Sequence, residues 1–151
     1  MEKAAFIDIK NNRCYYKNIN RIQYPISDTK KEEMNMKIAI GCDPNAEEAK
    51  QEIIAYIEKK GYGEVTDFGS EDPIYANVAI DVAEHVASGE YDRGVLICGT
   101  GLGVSIAANK VKGAYAALVS DVYSATRARL SNDANIVCMG AFTTGAKVRE
   151  M

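Results

Sequence analysis

Residues 95–109 read VLICGTGLGVSIAAN, and this stretch decides the fold. An apolar run ends in Cys98, and three glycines, Gly99, Gly101 and Gly103, follow at alternate positions. A short apolar run bounded by glycine is typical of a buried strand, and the residues after Gly103 begin a helical pattern. The stretch therefore predicts a strand, a tight turn and a helix in direct succession, with a thiol where the strand ends.

The same alternation of strands and helices runs through the chain from Met36 onward. The strands are continuously apolar, which is typical of a parallel sheet covered by helices on both faces. We therefore expect an α/β fold of three layers (αβα) around a five-stranded parallel sheet. The predicted strands are 37–42, 64–69, 94–99, 114–119 and 135–140, and the predicted helices are 46–60, 74–89, 103–110 and 121–132.

Residues 1–35 differ from the rest, because they are polar, rich in asparagine and lysine, and without a sustained period. The Lys-Glu-Glu run at 31–33 can be encoded by a purine-rich stretch resembling a bacterial ribosome-binding site, just upstream of Met36. We interpret residues 1–35 as an untranslated leader read as protein, or as a disordered tail, and residues 36–151 as the domain. The alternative is a genuine hairpin built on AAFIDIK and RCYYKN.

Composition excludes several classes of function. The net charge is −3 without a block of Lys or Arg, so we expect no nucleic-acid partner. No apolar run approaches the roughly 20 residues of a membrane span. One histidine and four cysteines without a C-x-x-C pair argue against a metal site, and free thiols fit a reducing cytoplasm. The cysteines are Cys14, Cys42, Cys98 and Cys138.

The glycine turn has a definite chemical use. Ligands of parallel α/β sheets bind beyond the carboxyl ends of the strands, where Cys98 is expected. Glycines let backbone N–H groups approach a ligand closely, and the start of the next helix adds N–H donors. Such a turn stabilises a phosphate or an oxyanion, and it favours the thiolate form of Cys98 as a base or nucleophile.

Two other interpretations of the turn stay open at this point. One is a dinucleotide-binding G-x-G-x-x-G turn, although Val104 replaces the third glycine and the loop follows the third strand. The other is a tight turn with an inert buried cysteine, since cysteine is often buried.

Three segments of the chain resemble the ribose-5-phosphate isomerase B and galactose-6-phosphate isomerase family. They are MKIAIGCD (36–43), DRGVLICGTGLGVSIAANKVKG (92–113) and YSATRARLSNDANIVCMGA (123–141). The resemblance implies a Rossmann-like fold and the interconversion of phosphorylated aldoses and ketoses through a cis-enediolate, without a metal or other cofactor. It also implies a homodimer or larger homo-oligomer with active sites at the interface.

The resemblance assigns roles residue by residue. Cys98 matches the base that moves a proton between C1 and C2, and the three loop glycines match the anion hole for the enediolate. Thr100 matches a residue near the substrate hydroxyls, Asp43 an acidic residue after the first strand, and Asn132 a polar contact to substrate. The chemistry agrees, because a proton α to a carbonyl needs a positioned base and stabilisation of the enediolate.

The chain departs from the family pattern in three places. Pro44 stands where the family often has a histidine, and Ser131 stands where ring-opening members have one. The family also continues with a long helix and phosphate-binding arginines, whereas this chain ends at Met151, so we expect a truncated C-terminal helix and an uncovered apolar face of the sheet. Arg127, one helical turn before Ser131, is the candidate replacement for phosphate binding, unless it is a solvated helix charge.

Serine at position 131, in place of a ring-opening histidine, favours a substrate that does not form a ring. Pentose and hexose phosphates are mostly cyclic and need an acid to open the ring, whereas a tetrose 4-phosphate cannot close a five-membered ring because its O4 carries the phosphate. We therefore hypothesise a tetrulose 4-phosphate such as D-erythrulose 4-phosphate, beside ribose 5-phosphate. The alternatives are a catalytically impaired or partner-dependent subunit of such an isomerase, completed by a related chain, and a nucleotide-binding Rossmann module.

Overall fold

The computed structural model describes residues 3–8, 13–18, 36–69 and 71–145. Five parallel strands form the central sheet: β3 (Lys37–Cys42), β4 (Glu64–Asp67), β5 (Arg93–Cys98), β6 (Ala116–Leu118) and β7 (Ile136–Gly140). Four helices connect them: α1 (Glu47–Lys60), α2 (Tyr75–Ser88), α3 (Leu102–Ala108) and α4 (Val122–Asn132), with a 3-10 turn at Pro44–Ala46 before α1.

The strand order is β4-β3-β5-β7-β6, and every neighbouring pair in this sheet is parallel. Strand β5 lies in the middle, paired with β3 on one side and β7 on the other. The predicted five-stranded α/β architecture is therefore confirmed, and Cys98 ends the central strand. Its carboxyl end is the point at which ligands of such sheets are expected.

The two faces of the sheet carry separate cores. Helices α2 and α3 cover one face, where Val82, Leu96 and Val104 are fully buried. Helix α1 covers the other face through Ile53 and its neighbours, and alanines of α4 pack at its side. Each fully buried Leu, Ile or Val contributes roughly 1.5–3 kcal/mol through the hydrophobic effect.

Local sequence explains where the helices begin and end. The Asp121 carboxylate accepts a hydrogen bond from the Ser124 N–H at 2.7 Å and so caps the start of α4. Helices α1 and α2 end at Gly61 and Gly89, which adopt the left-handed conformation that glycine tolerates. None of the helices in the described part of the chain is long and apolar enough to cross a membrane.

The N-terminal strands β1 (Lys3–Asp8) and β2 (Arg13–Asn18) form an antiparallel pair, where the alternative interpretation placed a hairpin. Strand β1 lies near α4. The remaining residues of 1–35 lie outside the described residues, as do residues 146–151, where the truncated final helix is expected. Both of those interpretations stay predictions.

A groove of about 440 Å³ separates α1 from α4 on the second face of the sheet. Ile53 and Ile57 of α1 form one wall, Ala125 of α4 forms the other, and Val137 and Met139 of β7 contribute to the floor. Cys98 does not line this groove.

Candidate active site

The glycine turn wraps around the thiol of Cys98. The Gly101 N–H points at Cys98 Sγ with a nitrogen–sulfur distance of 3.1 Å, and this contact is buried. Gly101 has a φ of +78°, and a β-carbon there would lie 2.7 Å from the carbonyl carbon of Met139. Only glycine therefore lets the chain turn this closely, and the turn directs a backbone donor at the sulfur. Such a donor stabilises a thiolate.

Asp43 lies beside Cys98 at the same edge of the sheet. Cys42 pairs with Ile97, and the Asp43 N–H donates to the Ile97 carbonyl at 3.1 Å, so Asp43 is the lateral neighbour of Cys98. Neighbouring strands are about 4.8 Å apart, and paired residues present their side chains to the same face. Asp43 is 8% exposed, and its Oδ1 accepts a hydrogen bond from the Asn45 N–H at 3.0 Å. Asp43 and Cys98 are therefore neighbours at the carboxyl edge of the sheet.

The turn after β7 holds the glycine loop from its other side. The Ala141 N–H donates to the Cys98 carbonyl at 2.8 Å, and the Phe142 N–H donates to the Gly99 carbonyl at 3.1 Å. The turn itself is closed by Thr144, which is 4% exposed and whose Oγ1 accepts from the Gly140 N–H at 3.1 Å. The loop that carries the thiol is therefore fixed by backbone hydrogen bonds to a second element.

The start of α3 supplies further donors. The N–H of Ser105 in this helix donates to the backbone carbonyl of Gly101 at 3.2 Å. The N–H groups of Gly103 and Val104 precede it, and first-turn groups have no partner within their helix. Thr100 is exposed at the loop tip, and its Oγ1 accepts from the Leu102 N–H at 3.4 Å. The structure thus brings together Asp43, Cys98, Gly99, Thr100, Gly101 and Gly103.

Two aromatic rings flank this loop, and the sequence analysis assigned neither of them to the site. A β-carbon on Gly99 would lie 3.2 Å from the ring of Phe142, and one on Gly103 would lie 2.5 Å from the ring of Tyr75. Phe142 is 76% exposed and Tyr75 is 44% exposed. The available signal was position, because Phe142 directly follows a predicted strand at the edge where ligands bind.

The other two described thiols differ from Cys98 in their surroundings. Burial raises the pKa of Cys42 to about 12, and burial also raises the pKa of Cys138 to about 12. Both side chains are fully buried and remain protonated at neutral pH. Cys98 is thus the described cysteine whose sulfur receives a backbone N–H from the glycine loop.

A buried ion-pair network stands beside the site at the carboxyl ends of β3 and β4. Lys50 is 2% exposed, and its Nζ lies 2.9 Å from Glu47 and 2.8 Å from Asp67. Burial disfavours the charged lysine, but the hydrogen bonds to Asp67 and Glu47 outweigh it, so the pKa of Lys50 is raised. Asp67 also accepts from the Gly69 N–H at 2.8 Å, which fixes the loop leading towards α2.

Three predicted site residues lie elsewhere in the same chain. Ser131 and Asn132 end α4 and precede β7, which places them at the amino edge of the sheet. Gly140 pairs with Cys98, and the four residue steps from Ile136 to Gly140 span about 13 Å. Ser131 Oγ is buried without a hydrogen-bond partner in the described structure. Arg127, one turn earlier on α4, is half-buried.

The described residues contain no group of three or more His, Cys, Asp or Glu side chains arranged to hold a metal ion. His85, the one histidine of the chain, lies in the last turn of α2. Its side chain is 36% exposed and packs edge-on against the rings of Phe68 and Tyr91, with centroid distances of 5.0 and 6.0 Å. Its role in the described structure is therefore one of packing at the end of α2.

Comparison with known proteins places this site in a family. A family model described as Ribose/Galactose Isomerase matches residues 38–151. A ribose-5-P isomerase B of Listeria innocua is 52% identical over 113 residues, which are 73% of this chain and 76% of the relative. A D-erythrulose-4-phosphate isomerase of Pectobacterium atrosepticum is 44% identical, covering 75% of this chain and 76% of the relative.

The solved structures agree with these sequence relatives. The type B ribose 5-phosphate isomerase of Trypanosoma brucei superposes with a TM-score of 0.73 at 45% identity, covering 78% of this chain and 82% of that chain. The family match confirms the resemblance seen in the sequence and decides against the interpretation as a nucleotide-binding module. The chain therefore belongs to the ribose/galactose isomerase family of enzymes.

Proposed function

We propose that this enzyme interconverts a phosphorylated aldose and its ketose through a cis-enediolate, with Cys98 as the base. The observation that carries the proposal is the Gly101 N–H directed at Cys98 Sγ, in a loop that leads into the first turn of α3, where the N–H groups of Gly103 and Val104 have no partner within the helix. A positioned base and a preorganised oxyanion site are the two requirements for removing a proton α to a carbonyl.

The proton transfers balance within the substrate. The Cys98 thiolate takes the proton from C2 of the open-chain aldose, and the electron pair moves to the C1 carbonyl oxygen, giving the enediolate. The loop N–H groups stabilise that negative charge. The thiol then returns the proton to C1, while the hydroxyl proton of O2 passes to O1, and the ketose results. Asp43 and Thr100 orient the hydroxyl groups, since both are polar groups at this edge.

We favour an open-chain substrate, with D-erythrulose 4-phosphate as the leading candidate and ribose 5-phosphate as the other. Ring opening needs a group that can deliver a proton near neutral pH, and the serine hydroxyl at position 131 is no acid in that range. A tetrose 4-phosphate avoids this requirement. Relatives with each of the two substrates in their names support both candidates.

We further propose that a homodimer forms the complete site. Ser131 and Asn132 lie at the amino edge, so a contact with substrate at Cys98 requires that they come from a second copy. The apolar surface around the glycine loop supports such an interface, because Leu102 is 55% exposed and Ile106 is 60% exposed. Arg127 of the second copy would then be the candidate partner of the phosphate. The three buried free thiols are compatible with a reducing cytoplasm.

The test of the chemistry is a substrate panel in D2O. Purified enzyme is incubated with the phosphates of erythrulose, ribose, allose and galactose. The product is analysed for deuterium at C1 when the substrate is an aldose and at C2 when the substrate is the ketose erythrulose 4-phosphate. Cys98→Ala is expected to abolish turnover, whereas Cys138→Ala, which removes a thiol on the neighbouring strand, is expected to retain it. Equal turnover by wild type and Cys98→Ala would refute Cys98 as the base.

The test of the shared site is complementation between two inactive variants. Cys98→Ala and Asn132→Ala are mixed, unfolded and refolded together. If each site uses Cys98 of one copy and Asn132 of the other, half of the dimers are mixed and one site in each is intact, so about a quarter of wild-type activity returns. A mixture no more active than its components would show that the two residues do not cooperate across copies.

A further inference from the structure

The glycine loop is bounded at both ends by an aromatic ring that is open to solvent. Phe142 packs on Gly99 and Tyr75 packs on Gly103, each where a glycine β-carbon would otherwise project. Phe142 is the more exposed of the two, at 76%. A ring that contacts Gly99 and is exposed on its other side is accessible to a ligand bound at the glycine loop.

We propose that Phe142 is a specificity-determining residue whose ring forms the Gly99 wall of the substrate site, contacts the carbon skeleton of the sugar phosphate and limits its chain length. This inference rests on the proposed function. It deepens that function by naming the residue that selects among sugar phosphates.

The position of the backbone supports this role. Gly99 directly follows Cys98, so a ring in contact with Gly99 lies next to the residue that adjoins the thiol-bearing residue in the chain. The reacting carbon must approach both Cys98 Sγ and the loop N–H groups at about 3–3.5 Å. A substrate bound in this way lies against the glycine loop, and the Phe142 ring forms the side of its site next to Gly99.

The backbone that carries the ring is fixed to the glycine loop. The Phe142 N–H donates to the Gly99 carbonyl at 3.1 Å, and the Ala141 N–H donates to the Cys98 carbonyl at 2.8 Å. The turn is closed behind it by the buried Thr144. A wall tied to the base by backbone hydrogen bonds keeps a constant distance from the reacting carbons, which is what discrimination by size requires.

The first test uses fluorescence, because the chain contains no tryptophan. Phe142→Trp in the Cys98→Ala background is titrated with erythrulose 4-phosphate and with ribose 5-phosphate. Tyr62→Trp in the same background is the matched control, since Tyr62 is 46% exposed and lies at the amino edge of the sheet. We expect a saturable change in emission for Trp at 142 and none for Trp at 62. If the emission of Phe142→Trp does not change, or changes only as dilution explains, the proposed contact between Phe142 and the sugar is wrong.

The second test measures specificity. The ratio of kcat/KM for allose 6-phosphate to that for erythrulose 4-phosphate is compared among wild type, Phe142→Leu and Phe142→Ala. Opening the wall is expected to raise this ratio about tenfold or more in Phe142→Ala and less in Phe142→Leu. An unchanged ratio in both variants would overturn the size limit.

The two tests separate this inference from the proposed function. In one outcome, wild type converts a sugar phosphate, but sugar phosphates leave the emission of Phe142→Trp unchanged and the Phe142 variants leave the ratio of kcat/KM values unchanged. Phe142 is then not the wall, and the isomerase assignment stands. If sugar phosphates change the emission but wild type converts none of them, the proposed reaction fails and the ligand contact stands.

Discussion

Replacing Gly101 by alanine adds one heavy atom, the β-carbon, to the loop beside Cys98. Gly101 has a φ of +78°, in the left-handed region, and an added β-carbon would meet Leu118 Cδ1 at 2.5 Å and the Met139 carbonyl carbon at 2.7 Å. Leu118 is a flexible side chain on the surface and can move, but Met139 is backbone within β7 and cannot move cheaply. The substitution therefore combines backbone strain with a steric clash.

The two contributions can be separated by a matched variant. Gly89, which ends α2, has a φ of +83°, and a β-carbon there would have no neighbour within 4 Å. Gly89→Ala therefore carries the backbone strain alone, about 1–2 kcal/mol. Gly101→Ala adds an overpacking cost of about 1–3 kcal/mol. We expect its free energy of unfolding to fall by roughly 2–5 kcal/mol.

Urea unfolding followed by circular dichroism gives the comparison, with the same slope against denaturant expected for both variants. Activity adds a second measure, because relieving the clash moves the Gly101 N–H away from Cys98 Sγ. Gly101→Ala is expected to lose turnover even where it is fully folded, and Gly89→Ala is expected to retain it. Equal destabilisation of the two variants, or full activity of Gly101→Ala, would refute the reasoning from contact geometry.

Three further predictions follow from the buried and titrating groups. Lys50→Met leaves the Asp67 carboxylate without its cation, so the free energy of unfolding should fall by about 1–3 kcal/mol; an unchanged urea midpoint would contradict this. The pKa of His85 is raised, chiefly by its hydrogen bond to a backbone carbonyl of α2, so its contribution to stability is complete below pH about 6.5 and is lost as pH rises through the folded pKa. In His85→Gln, the free energy of unfolding should therefore depend less on pH in this range than it does in wild type. Equal pH dependence of the variant and wild type would contradict this prediction. Iodoacetamide at neutral pH should modify Cys98 before Cys138, as read by mass spectrometry of peptides, because Cys138 is fully buried with a pKa of about 12.

The architecture could be predicted because its signals are local. The apolar run before Asp43 predicts a strand over 37–42, and β3 has those bounds. The periodic stretch ending at Gly61 predicts helix 46–60, and α1 begins one residue later. The spacing of apolar residues and the glycines at helix ends are signals within a few residues of sequence. They can therefore be recognised without knowledge of tertiary contacts.

The candidate site could be predicted only where it is contiguous in sequence. Cys98 and the glycines after it form one loop, so their spacing alone suggested the chemistry. Phe142 reaches Gly99 only because β7 pairs with β5, and Tyr75 reaches Gly103 only because α2 packs beside α3. Contacts between segments that are distant in sequence cannot be predicted from the residues within either segment. Asn132 is different, because the predicted helix 121–132 and the strand after it already placed this residue at the amino edge of the sheet.

The division of the site among separate connections has a consequence for how such enzymes diversify. Cys98 lies at the end of a central strand that is hydrogen-bonded on both sides, whereas Phe142 lies on the turn that follows β7. Exposed turns tolerate substitution far better than a buried strand does. If Phe142 contacts the sugar as proposed, substitutions at this one position can change the preferred sugar while Cys98 and its glycine loop stay the same.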